Sequence, residues 1–241
     1  MNLTEPPLLQ SLQLTSNDTQ VINWESCGIG VEFLPDSQDA KVLEKRAALA
    51  GKPTVQEHLQ SYLLGISENI AVFYDHRSGE AADYICIKRS KSGDVNVSLY
   101  HCKGAGGAPS GRRVGDVYEV AGQLVKSVYY CSVGTVLKHM KDRMSSRHKH
   151  PSKFFKGDIA AVTSLLTSTV ATKISFTVVG VQPGIKQSAI GSHLSDLMAF
   201  CLDYARQGGA TEAYWLVNEP PASKNGVKTQ RTKRSKSKVK I

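Results

Sequence analysis

The stretch from residue 70 to residue 103 constrains the fold most, because it sets three β-rich runs close together with two short turn sequences between them. Residues 70–75 (IAVFYD), 81–88 (AADYICIK) and 94–103 (DVNVSLYHCK) concentrate β-branched and aromatic side chains. In the third run Val95, Val97 and Leu99 alternate with Asn96, Ser98 and Tyr100, the period of a strand. His76-Arg77-Ser78-Gly79 separates the first two runs and Ser90-Lys91-Ser92-Gly93 the last two. Connections this short do not permit crossovers, so the runs predict an antiparallel meander. With Lys91-Ser92-Gly93 as the hairpin loop, Ser90 pairs with Asp94 and Asp83 falls opposite His101. Lys103, two residues further on, projects from the same face as His101.

Helical patterns surround the meander. Pro53-Thr54 opens a helix in which Val55, Leu59, Tyr62 and Leu63 recur at helical spacing, and Gly65 closes it. Residues 116–131 carry the stripe Val117, Val120, Leu124, Val128 and Cys131. Further helices are predicted near 40–49, over 158–169 and over 194–207, the last closed by Gly208-Gly209. Residues 174–181 (ISFTVVGV) read as a strand buried on both faces, broken by Gln182-Pro183-Gly184, and residues 211–217 (TEAYWLV) as a final strand. The predicted fold class is α/β (α+β), a mixed β-sheet with an αβββαβ core flanked by helices. Residues 1–50 are expected to be an extension packing on that core, 51–221 the main domain and 222–241 a disordered basic tail.

The formal charge of +9 over 241 residues is unevenly spread, with −7 in residues 1–85, +10 in 86–156, −2 in 157–221 and +8 in the tail. Charge in the folded middle block marks candidate nucleic-acid contacts at Lys88, Arg89, Arg112, Arg113 and Lys126. The stretch 137–156, with His139, His148 and His150, reads as a solvated basic face. The glycine-rich 104–111 is followed by Arg112-Arg113, not by Gly-Lys-Ser/Thr, which excludes a phosphate-binding P-loop. Five widely spaced cysteines without a C-x-x-C pair argue against a disulfide framework or a zinc site. The absence of a signal-peptide pattern and of a long apolar run leads to the expectation of a cytoplasmic chain without a membrane span.

Asp83 lies between Ala81-Ala82 and Ile85, where a carboxylate needs a partner. A carboxylate, an imidazole and an ammonium on one face suit phosphodiester hydrolysis. A divalent ion held by Asp83 and His101 would offset phosphate charge and activate water, and Lys103 would stabilise developing charge.

Asp83, followed on the next strand by His101-Cys102-Lys103, resembles the D…(E/Q)xK signature of the PD-(D/E)XK nuclease superfamily. The order helix, three-strand meander, helix, strand is similar to that superfamily's restriction-endonuclease-like core. Gly122-Gln123-Leu124-Val125-Lys126 resembles the glutamine motif of its Mrr-like and resolvase-like branches. GEAADYI, LYHCKGA and GDVYEVAGQLVKS are also similar to nuclease-like domains attached to restriction or phage-defence helicases. The resemblance, over roughly residues 54–181, implies a Mg²⁺- or Mn²⁺-dependent nuclease acting on DNA in preference to RNA. Asp83, His101, Lys103 and Gln123 would be its catalytic residues, the first two also binding metal, with Glu80, Asp75 and Glu57 as further acids. It also implies a separate helicase or defence-system subunit as partner, and a homodimer is a second expectation. His101 replaces the usual Glu or Gln, which removes a negative charge and favours Mn²⁺. Two rival readings stay open: a nucleic-acid-binding module without catalysis on the same fold, and an interaction subunit of a nuclease or helicase complex.

Overall fold

The computed structural model describes residues 14–105, 114–145 and 152–218. Among them a seven-stranded mixed sheet is flanked by six α-helices, the fold class expected from the sequence. In chain order the elements are β1 (Thr19–Ile22), α1 (Ala40–Ala48), α2 (Val55–Gly65), β2 (Asn69–Tyr74), β3 (Tyr84–Arg89), β4 (Val95–Cys102) and α3 (Val114–Ser127). There follow α4 (Val133–Ser145), β5 (Lys153–Lys156), α5 (Ile159–Ser168), β6 (Ile174–Lys186), α6 (Ser192–Gln207) and β7 (Glu212–Asn218).

The sheet order is β1-β7-β6-β4-β3-β2-β5. On one side of β4 the pairings are antiparallel, through β3 and β2 to β5; on the other they are parallel, through β6 and β7 to β1. The β3–β4 hairpin has the register read from the sequence, with Tyr84 opposite Tyr100 and Arg89 opposite Val95. Ser90 N–H donates to Asp94 O at 2.9 Å, and Gly93 adopts φ +86°, a conformation that glycine accommodates without strain.

The two sheet faces build two cores. Ile85, Ile87, Val95, Val97 and Leu99 pack with Val117, Val120 and Leu124 of α3, Val136 and Met140 of α4, and Met198 and Leu202 of α6. Tyr84, Cys86, Tyr100 and Cys102 face the other way, against Val55, Leu59 and Leu63 of α2 and against Trp24, Cys27 and Ile29. The N-terminal segment is therefore part of the second core, and β1 is a strand of the same sheet. Residues 28–32 are stitched in place by Gly28 N–H to Pro53 O (2.8 Å), Val55 N–H to Val31 O (3.0 Å) and Ala105 N–H to Ile29 O (2.6 Å).

Two sequence expectations are corrected. Residues 137–145 are solvated on one side only: they belong to α4, on which Lys138, Lys141 and Asp142 are exposed while Val136, Leu137 and Met140 are buried at helical spacing and the His139 side chain is only 10% exposed. Gln182-Pro183-Gly184 does not end the strand. β6 continues to Lys186 through a register shift, in which Gln182 Oε1 accepts from Gly184 N–H at 2.8 Å in place of a ladder bond.

Candidate functional site

Asp83 occupies the bend that enters β3 and is 1% exposed. A buried carboxylate must be matched by donors, and three reach it. Oδ2 accepts from Cys102 N–H at 2.7 Å, and Oδ1 accepts from Gln56 Nε2 at 2.8 Å and from His76 Nδ1 at 2.5 Å. Gln56 is equally buried and held from several sides. Tyr74 OH donates to its Oε1 at 3.0 Å, Tyr84 OH donates to its main-chain O at 3.0 Å, and its N–H donates to Glu32 O at 3.0 Å. Asp83 only accepts, so the amide nitrogen, not the oxygen, faces the carboxylate.

Glu32 completes the group. Glu32, His76 and Asp83 each present one donor atom within 4.8 Å of the other two, a set able to hold a metal ion. The Glu32 carboxylate also takes the Lys103 ammonium at 3.1 Å, and Lys103 in turn donates to Glu119 Oε1 of α3 at 2.6 Å. Burial alone would depress the His76 pKa, but the hydrogen bond and charge of Asp83, with Glu80 and Glu32, outweigh it and hold it above the usual value. Burial also works against the Lys103 ammonium, yet Glu119 and Glu32 raise its pKa.

A second layer adjoins this group through Glu80. Its carboxylate accepts from Arg77 N–H at 2.6 Å and from Gln123 Nε2 at 3.4 Å, while Lys126 Nζ donates to its main-chain O at 2.8 Å. Burial and then the charge of Asp83 raise the Glu80 pKa, against the pull of Arg77 N–H, His76 and Lys126. The Gln123 Oε1 is buried without a hydrogen-bond partner.

Asp83 is thus in the metal-capable group, and Lys103 is paired with its Glu32. Glu80, with Gln123 and Lys126, forms an adjoining set coupled to Asp83 through charge. His101, also coupled to Asp83 only through charge, belongs to neither. It is fully buried and its Nε2 pairs with Ser127 Oγ of α3. Burial lowers its pKa to about 4, opposed by Asp83 and reinforced by Lys126, so it is a neutral imidazole. The reason is local. His101 follows the alternation of β4 and, like Val97 and Leu99, meets the α3 side of the sheet, whereas Asp83 precedes β3 and turns its carboxylate toward α2 on the other side. Register fixed which backbones are opposed, not where the side chains go.

The other expected acids have different work. Asp75 is fully buried, paired with Arg143 Nε, with His139 Nε2 at 2.5 Å and with Ser152 Oγ at 2.5 Å. Burial opposes its charge, but His139, Ser152 and Arg143 lower its pKa. Glu57 caps α2, accepting from Thr54 N–H at 2.8 Å, and takes Arg46 of α1 at 2.7 Å. Of the expected nucleic-acid contacts, Lys88 and Arg89 are exposed at the far end of the hairpin, about 17 Å along β3 from Asp83. Arg112, Arg113, His148 and His150 lie outside the described residues.

Glu32, Gln56 and His76 were not legible as site residues. His76 sits in a turn sequence, Gln56 precedes the more conspicuous Glu57, and Glu32 lies 51 positions before Asp83 in a weakly patterned segment. The only local hint was a histidine on the loop that leads into the strand of Asp83. Comparison with family models, with curated proteins and with solved structures gives no match.

Proposed function

We propose that the chain is a divalent-metal-dependent nuclease that hydrolyses DNA phosphodiester bonds, in restriction, phage defence or DNA processing, with Mg²⁺ or Mn²⁺ as cofactor. The observation that carries this reading is the Lys103 ammonium 3.1 Å from Glu32, itself one of the three residues able to hold a metal ion. Glu32, His76 and Asp83 would hold the ion, which offsets phosphate charge and lowers the pKa of water when bound. Lys103, anchored by Glu119, is placed to stabilise charge on a phosphoryl oxygen. Gln123 has an unmatched amide oxygen to orient a water, and Lys126 is a cation for a phosphate. The five free cysteines suit a reducing cytosol, and no helix among the described residues is long and apolar enough to cross a membrane. A separate helicase or defence-system subunit as partner, and a homodimer, remain part of the proposal.

One observation favours a second reading, a nucleic-acid-binding module that has lost catalysis: both oxygens of Asp83 already accept hydrogen bonds from the protein. Incubation with plasmid and linear DNA in Mg²⁺ and in Mn²⁺ separates the two. The nuclease reading expects cleavage that Lys103→Ala reduces by ~10²-fold or more. DNA binding without cleavage in either metal selects the second.

A further inference from the structure

Resting on the metal-dependent reading above, we infer that Glu32, His76 and Asp83 form a mixed nitrogen–oxygen cation site that selects Mn²⁺ over Mg²⁺ and Ca²⁺, with Gln56 as the residue that sets the selectivity. The donor set is two carboxylates and one imidazole. Mg²⁺ and Ca²⁺ take oxygen ligands and gain little from an imidazole, whereas Mn²⁺, a transition ion that shares their taste for carboxylate oxygen, accepts an imidazole nitrogen more readily than they do. The Lys103 ammonium on Glu32 further reduces the negative charge that a hard ion would need.

Gln56 makes the set selective by withholding a fourth oxygen. Its side chain borders the set, with Nε2 2.8 Å from both Asp83 Oδ1 and His76 Nδ1. The Tyr74 hydroxyl holds Oε1 on the other side, so the site meets an N–H donor there and not a ligand oxygen. The same residue ties two of the ligands together, its side chain donating to Asp83 and its main-chain N–H reaching Glu32 O, with Nε2 beside the third, His76. A carboxylate in its place would add charge and oxygen where Mg²⁺ and Ca²⁺ most need them, at a position already preorganised by two tyrosines.

The test uses the full chain stripped of metal by chelator, titrated with Mn²⁺, Mg²⁺ or Ca²⁺ by calorimetry, with Mn²⁺ paramagnetic resonance as a second readout and no DNA present. One Mn²⁺ is expected to bind ~10-fold or more tightly than Mg²⁺ or Ca²⁺. His76→Gln, at a half-buried position that tolerates an amide, should weaken Mn²⁺ by ~10-fold or more and leave Mg²⁺ within about 3-fold. Gln56→Glu should bring the Mn²⁺ to Mg²⁺ ratio within about 3-fold of unity. Thermal melts identify variants that fail to fold; if Gln56→Glu is one, the wild-type ratio and His76→Gln still decide. Equal affinities in the wild type, no Mn²⁺ binding, or Mn²⁺ binding indifferent to His76→Gln would overturn the site. An unchanged ratio in folded Gln56→Glu would overturn the role of Gln56. Selective Mn²⁺ binding without DNA cleavage would sink the nuclease reading and leave this site standing. Cleavage by a chain that binds both ions alike would do the reverse.

Discussion

Two buried carboxylates frame the β2–β3 loop, and their surroundings differ in kind. Asp75 and Asp83 are joined through the backbone, Asp75 N–H donating to Asp83 O at 3.0 Å, and both are almost wholly excluded from solvent. Asp75 is matched by the Arg143 guanidinium, with His139 and Ser152 beside it. Asp83 is matched by an amide, a main-chain N–H and the imidazole of His76, whose ring is partly open to solvent. A permanent cation makes the first carboxylate a strut that ties α4 to the sheet. The second has as partners an amide, a main-chain N–H and an imidazole that can exchange its proton, which is what the proposed cation site requires. What a buried acid does is decided by whether its counter-charge is built into the chain.

The comparison can be broken by removing each carboxylate in turn. Asp75→Ala should cost ~3–5 kcal/mol in urea denaturation, because the buried pairings of Asp75 with Arg143 and His139 are broken. A loss below about 1 kcal/mol would show that the strut is dispensable. Asp83→Asn, close in shape, should keep the fold but lower DNA cleavage by ~10²-fold or more, measured with the melt recorded in parallel. If cleavage falls only with unfolding, Asp83 is another strut.

Acid sharpens the contrast further. The folded pKa of Asp75 lies below its unfolded value, so its contribution is complete above about pH 4 and is lost as pH falls through the folded value. Glu80 has the opposite sign: its folded pKa is raised, so its contribution is complete below about pH 4 and is lost as pH rises through the folded value. Denaturation between pH 3 and pH 6 should show an acid-side loss in the wild type that shrinks in Asp75→Asn and steepens in Glu80→Gln. A wild-type acid limb left unchanged by Asp75→Asn would show that other groups carry it. The smallest expected effect is at Glu57, whose removal as Glu57→Ala should cost about 1 kcal/mol through the lost cap and leave cleavage unaltered, as a plasmid assay would show.

The hairpin register was legible in the sequence because turn chemistry and strand alternation are local. Ser90 to Asp94 carries enough information to set every opposed pair of β3 and β4. Helix α4 was missed because Lys138, Lys141 and Arg143 obscured the apolar spacing of Val136, Leu137 and Met140. At the site, Asp83, Lys103, Gln123, Glu80 and Lys126 came from the meander and the helix after it, where few residues separate them from a readable pattern. Glu32 and Gln56 reach Asp83 through tertiary packing, which leaves no periodic trace. His101 misled because opposition across strands is a property of backbones, while burial under α3 is a property of the assembled fold.

The change of pairing at β4 has a consequence for how the molecule is assembled in time. The β3–β4 hairpin closes over a three-residue loop and brings the Asp83 carboxylate to Cys102 N–H, 19 positions away. The parallel half joins β4 to β6 across 79 positions and β7 to β1 across 196, contacts that bear a larger loop-closure entropy and form slowly. Asp83 and Lys103 therefore belong to the fast half of folding. Glu32 lies in a segment held to residues 53–56 and, through Ile29, to Ala105, contacts 24 to 76 positions apart that form outside the hairpin. A refolding chain is expected to regain hairpin protection in hydrogen exchange before the proposed site regains cation binding, so that binding there would report the docking of residues 28–32 against α2 and the end of β4.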